Sequence, residues 1–211
     1  MRSQPQTLFR FLLAAGRLKT EKRTGWLLDG IRDGESVAEH SWRSGLMALL
    51  LAQEERVNPE RLCAMLLLHD LAEARTGDLV TADKEQYHSK GPLLHYRRQN
   101  HSFVPLAEKR RREAAALRAL LKPLGPKARP LRSLLNEYNG RKTRTARLAK
   151  DTDILEMALQ ALEYERAGAA SHPIDHYFRH AERTVRTPAG KRLLKEILAA
   201  RARNQREPKT Q

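Results

Sequence analysis

A chain of 211 residues with one cysteine cannot close a disulfide within itself. Cys63 is therefore expected to pack as a small hydrophobe, and a reducing cytoplasm suits the chain. Valine and isoleucine are scarce, at five and four, and aromatic residues make up only 5%. Strands have little to be built from, which argues against a β-rich fold. No apolar run reaches the length needed to span a bilayer, and the stretch Leu8 to Ala15 is interrupted by Arg10, so neither a membrane span nor a secretory leader is expected. Acidic residues are also in deficit. Against 40 Lys and Arg there are 25 Asp and Glu, a formal charge of +15. That balance suits acidic partners such as nucleotides or nucleic acid without choosing between them.

What is abundant is Leu and Ala at helical spacing, which predicts an all-α fold. Candidate helices cover 5–18, 36–55, 59–76, 105–122, 129–138, 144–167, 173–185 and 188–203. Three starts carry their own signals. Ser36-Val37-Ala38-Glu39 reads as a capping box. Asn58-Pro59 and Thr187-Pro188 each place a capping side chain before a proline whose φ is preset for a first turn. No composition break demands a second domain, so one domain over 1–203 is expected, followed by a basic polar tail at 204–211. The polar segment 84–104, with Gly91-Pro92 and no clear period, reads as a surface loop, with a lid over a substrate as the functional alternative.

Within this helical frame His69 and Asp70 are adjacent, and His40 lies in the opening turns of the preceding helix. Imidazole nitrogens and a carboxylate oxygen together suit a catalytic divalent cation. A buried His beside a buried Asp would be costly without a cation or matched partners. Adjacent helical residues diverge by about 100°, so both can face one ion only if it sits alongside the helix. Glu73, at i+4 from His69 and i+3 from Asp70, falls on the same face and is the acid/base candidate. Gly77 ends the helix, and Asp78 follows at the rim. A further acidic ligand is ambiguous on the page: helical periodicity in 144–167 favours Asp151, but apolar residues on a second face of that helix weaken the preference for it over Asp153.

Two other patterns compete for attention. Lys109-Arg110-Arg111-Arg112 is the densest basic run, which keeps a nucleic-acid-binding protein as a rival, although few aromatics interleave the charges and a solvated helix face accounts for such a run. His172, His176 and His180 repeat every four residues, but Pro173 argues against a continuous helix through all three.

The stretches Arg23-Thr24-Gly25-Trp26, Glu35-Ser36-Val37-Ala38-Glu39-His40-Ser41, His69-Asp70-Leu71-Ala72-Glu73, Thr76-Gly77-Asp78 and Lys150-Asp151-Thr152-Asp153-Ile154-Leu155-Glu156-Met157 resemble, in this order, the HD-domain phosphohydrolases, specifically the 5′-deoxynucleotidase group. The resemblance implies a helical HD bundle and hydrolysis of nucleoside 5′-monophosphates, 2′-deoxy ones above all. Cleavage of another nucleotide's phosphodiester or pyrophosphate is the enzymatic alternative. It implies His40, His69, Asp70 and Asp153 as ligands of one divalent cation, and the donor set accommodates Mn²⁺, Co²⁺, Fe²⁺ or Zn²⁺. It further implies Asp78 near the sugar or the attacking water, Arg23 on the phosphate, and a homodimer. Trp26 is a candidate wall of the substrate site, with a core position as its ordinary alternative.

Overall fold

A computed structural model describes residues 4–81 and 103–206. The segment 84–104 lies outside these residues except for its last two, as does the end of the expected tail. The described chain is helical almost throughout. Helix α1 spans Gln4–Ala15 and tightens into a 3-10 turn at Gly16–Lys19; a short α2, Thr24–Leu28, precedes the long α3, Val37–Glu55. Then come α4, Pro59–Leu68, and the one-turn α5, Glu73–Thr76. The C-terminal half holds α6, Leu106–Leu121, a 3-10 segment at Lys122–Ala128, α7, Arg129–Gly140, α8, Arg144–Ala167, α9, Asp175–Thr184, and α10, Pro188–Arg206. Val80–Thr81 and Phe103–Val104 form a two-residue parallel strand pair, β1 and β2.

The predicted starts appear with their chemistry intact. Ser36 and Glu39 form the reciprocal capping box: the Ser36 N–H donates to Glu39 Oε2 at 2.6 Å and the Glu39 N–H donates to Ser36 Oγ at 3.2 Å. Asn58 Oδ1 accepts from the Arg61 N–H at 2.6 Å, and Thr187 Oγ1 accepts from the Gly190 N–H at 3.3 Å. Each satisfies a donor that an uncapped first turn would leave orphaned.

Two compact units are distinguished, Met1–Ser41 with Leu67–Asn136, and Trp42–Leu66 with Glu137–Gln211. In the first, Leu18, Val37, Leu71, Ala74, Leu120, Leu121, Ala128 and Leu135 make the core, with Phe11, Leu117 and Leu131 packed against them. In the second, α8 packs against both α9 and α10. Six consecutive residues of α8, Asp151 to Glu156, are buried, so this helix is covered on several sides and has no single apolar stripe. Cys63, on α4, is half-buried, and burial pushes its thiol above the ordinary range, as befits a packed and unreactive side chain. Helix α9 starts only at Asp175, leaving His172 outside it, and the Asp175 carboxylate pairs with Arg201.

Candidate active site

His40 sits in the first turn of α3, fully buried, with its N–H bonded to the Ser36 carbonyl at 3.1 Å. The capping box thus fixes the backbone that carries the imidazole. His69 and Asp70 sit differently from expectation. A continuous helix over 59–76 was predicted, but α4 ends at Leu68, and Leu71 and Glu73 donate to the carbonyls of Leu68 and Asp70 in tight three-residue turns. His69–Ala72 therefore turns between two helices, and the divergence of adjacent residues on a regular helix does not apply. The two side chains converge instead. Asp70 Oδ2 lies 3.1 Å from His69 Nε2 and 4.0 Å from His40 Nε2, and the two Nε2 atoms are 3.3 Å apart. The rings are inclined at 57°. Two imidazole nitrogens and a carboxylate oxygen facing one another at these distances are a donor set that fits a divalent first-row metal ion.

A supporting layer lies behind this triple. Glu35 Oε1 is 4.0 Å from His40 Nδ1 and accepts the Trp26 indole N–H at 3.0 Å. Trp26 is 1% exposed. Gly34 is what lets it seat, because a Cβ at 34 would meet the Trp26 Cβ at 2.9 Å. Lys22 and Ser36 form an antiparallel bridge, and the Arg23 N–H donates to the Glu35 carbonyl at 3.1 Å. This lashing brings Arg23 to the centre, where its guanidinium donates to Asp70 Oδ2 at 2.8 Å.

Asp78 is tied to the same segment. Its Oδ2 accepts the Thr24 N–H at 2.8 Å, its carbonyl accepts Thr24 Oγ1 at 2.7 Å, and its own N–H donates to Glu21 Oε1 at 3.2 Å. Gly77 makes this approach possible: it adopts φ 70°, and a Cβ there would meet Glu21 Oε1 at 3.1 Å. Glu73 opens α5 and is 3% exposed, with Oε2 buried and without a hydrogen-bond partner among the described residues. Burial first, then the carboxylates of Asp70 and Asp78, pushes its carboxyl well above the usual range, while Arg23 and Lys109 pull it back. Its place beside the His40, His69 and Asp70 cluster makes it the acid/base candidate of the site.

In the second unit, Asp153 is buried on α8, and its Oδ2 accepts from Tyr138 Oη at 2.8 Å and Lys150 Nζ at 2.6 Å. Asp151, the residue that periodicity favoured, is committed elsewhere. Its Oδ2 accepts the Arg186 N–H at 2.9 Å, the Thr187 N–H at 2.7 Å and Thr187 Oγ1 at 2.8 Å, closing the start of α10.

Lys109 is the residue that sequence reasoning missed. A solvated face accounts for Arg111 and Arg112, both exposed and paired with Glu108. Lys109 instead is only 23% exposed; its Nζ donates to the Leu79 carbonyl and lies 3.4 Å from Glu113 Oε1 and 4.0 Å from Glu73 Oε1. Burial alone would lower its pKa, but Asp78, Glu73, Glu113 and Asp70 together hold it above the usual lysine range. A signal was present, since Lys109 and Glu113 stand at i−7 and i−3 from the buried Ala116 and so continue the inner stripe of α6.

The sequence profile of the family described as HD domain matches residues 15–191. The chain is 33% identical to the 5′-deoxynucleotidase HDDC2 of Danio rerio over 198 residues, covering 93% of this chain and 89% of that protein. It is 31% identical to the 5′-deoxynucleotidase hdd1 of Schizosaccharomyces pombe, covering 90% and 88%. Among solved structures, a predicted metal-dependent phosphohydrolase from Magnetospirillum magnetotacticum superposes with a TM-score of 0.63 at 28% identity, over 97% of each chain.

Proposed function

The chain belongs to the HD domain family, and from that premise we propose that it is a metal-dependent phosphomonoesterase that hydrolyses nucleoside 5′-monophosphates, 2′-deoxy ones above all, to nucleoside and orthophosphate. The observation that carries the reading is the convergence of His40, His69 and Asp70, whose donor atoms lie 3.1 to 4.0 Å from one another. We assign these three and Asp153 as ligands of one divalent cation, with Mn²⁺, Co²⁺, Fe²⁺ and Zn²⁺ all compatible with nitrogen and oxygen donors. The chemistry such an ion supplies when bound is Lewis acidity, toward a phosphoryl oxygen and toward water.

The remaining roles fall to the chain. Arg23 is assigned to the phosphate, whose paired oxygens suit a planar guanidinium; its contact with Asp70 keeps it at the centre. Water adds to phosphorus and gives up one proton, the bond from phosphorus to O5′ breaks, and Glu73 passes that proton to O5′, which leaves as a hydroxyl. Asp78 is assigned to the sugar side, held by Thr24 and Glu21. Trp26 acts through Glu35, which faces His40. The active species is proposed to be a homodimer, supported by the exposed stripe Trp42, Leu46, Leu49 and Leu50 on α3, and its compartment to be the cytoplasm.

Phosphate release from purified protein over deoxy- and ribonucleoside monophosphates tests the reading. Activity should vanish with chelator and return with Mn²⁺ or Co²⁺. Tight duplex or RNA binding that survives chelation and falls steeply with salt, with no phosphate release, would overturn it.

A further inference from the structure

Glu73 is a buried carboxylate whose Oε2 has no hydrogen-bond partner among the described residues, and opposite its Oε1, at 4.0 Å, is Lys109. The same ammonium donates to the carbonyl of Leu79, directly after Asp78, and stands 3.4 Å from Glu113 one turn along α6. Lys109 therefore joins three pieces of backbone: α5 through Glu73, the Gly77–Leu79 turn, and its own helix. Four carboxylates, Asp70, Glu73, Asp78 and Glu113, act on it electrostatically. Arg23, the other cation acting on Glu73, spends a donor on Asp70. Nothing in the metal-ligand assignment uses Lys109, and a solvated lysine would not be held in this way.

We infer that Lys109 is a positioning residue for the hydrolysis: its half-buried ammonium fixes the Glu73 carboxylate in place and anchors the Asp78 turn to α6. The inference rests on the proposed phosphomonoesterase reading and deepens it. A charge held by several carboxylates at once is difficult to displace, so Glu73 meets the substrate in one orientation. Preorganisation of this kind acts on turnover more than on ground-state binding.

The decisive variant is Lys109→Gln in the full chain, because it removes the charge and keeps a polar side chain with an N–H donor, one atom shorter than lysine. Ion content, unfolding midpoint, and kcat and KM for a 2′-deoxynucleoside monophosphate would be measured in the presence of Mn²⁺. Partners that orient an active-site group are typically worth about 10- to 100-fold. Lys109→Gln is expected to lose kcat in that range, with KM within about threefold and ion content unchanged. Lys109→Arg should restore most of kcat. A Lys109→Gln protein whose kcat stays within about threefold of wild type overturns the inference. So does one in which ion content and unfolding midpoint fall together with kcat, since Lys109 would then support the fold only. A wild-type protein that releases no phosphate sinks the underlying reading, and that is seen before any variant is compared.

Discussion

Glu73 and His69 are two kinds of residue that should fail differently when altered. His69 Nε2 lies close to both His40 Nε2 and Asp70 Oδ2, as a ligand's donor atom does, whereas Glu73 offers a buried oxygen with no hydrogen-bond partner among the described residues. His69→Ala is expected to lose most of the bound ion, about one per chain in the wild type, together with turnover. Glu73→Gln is expected to keep the ion and lose about 10²- to 10⁴-fold in kcat, the usual worth of general acid or base help, with a much smaller change in KM. Metal analysis beside steady-state kinetics separates the two. An ion-free Glu73→Gln protein would make Glu73 a ligand, and one with wild-type kcat would pass the acid/base role to Asp78.

Helix α8 sets two aspartates two positions apart, about 200° from each other around the axis, and gives them different work. Asp151 satisfies three donors at the start of α10, and Glu55 Oε1 accepts the Ala189 N–H there at 2.7 Å. Asp151→Ala should therefore cost about 1.5 to 3 kcal/mol, the scale of losing hydrogen bonds to a charged group, seen as a lower denaturation midpoint at unchanged ion content. Asp153→Ala should strip the ion while the midpoint moves less. The reverse pattern would return the ligand role to Asp151. The wheel cannot separate these residues, because it assumes one buried face and α8 is covered on several. Elsewhere the elements were legible where local chemistry decides them. The caps at Ser36, Asn58 and Thr187 act within four residues and formed as read. The break after Leu68 carries no Gly or Pro to announce it, and α2 is five residues long and shows no period of its own. The pairing of Val80–Thr81 with Phe103–Val104 spans over twenty positions in sequence and has no local signature. Lys109 was hidden by three arginines that do face water. What stayed illegible is what distant contacts decide.

For the molecule as a whole, the +15 charge and the uncovered apolar stripe pull in opposite directions. Trp42 and Leu50 are 64% and 66% exposed, and with Leu46 and Leu49 they fall at i, i+4, i+7 and i+8, one face of α3. An exposed stripe of this kind is the surface through which helices associate, with a buried aromatic as its anchor. Two identical chains meeting there bring like charges together, and repulsion between surface charges is screened as salt rises. Self-association should therefore tighten between about 0.05 and 0.5 M salt, a range in which the screening length falls severalfold. Contact with nucleic acid would weaken over the same range through loss of counterion release, so salt separates the two uses of a basic chain. Trp42→Glu places a charge at the N-terminal end of the stripe, in its one aromatic, without touching His40, His69, Asp70 or Glu73. It should convert a dimer to a monomer in sedimentation equilibrium while the ion content per chain stays at the wild-type value. A wild-type protein that sediments as a monomer at both salt concentrations, or a Trp42→Glu dimer as tight as wild type, would remove α3 as the interface.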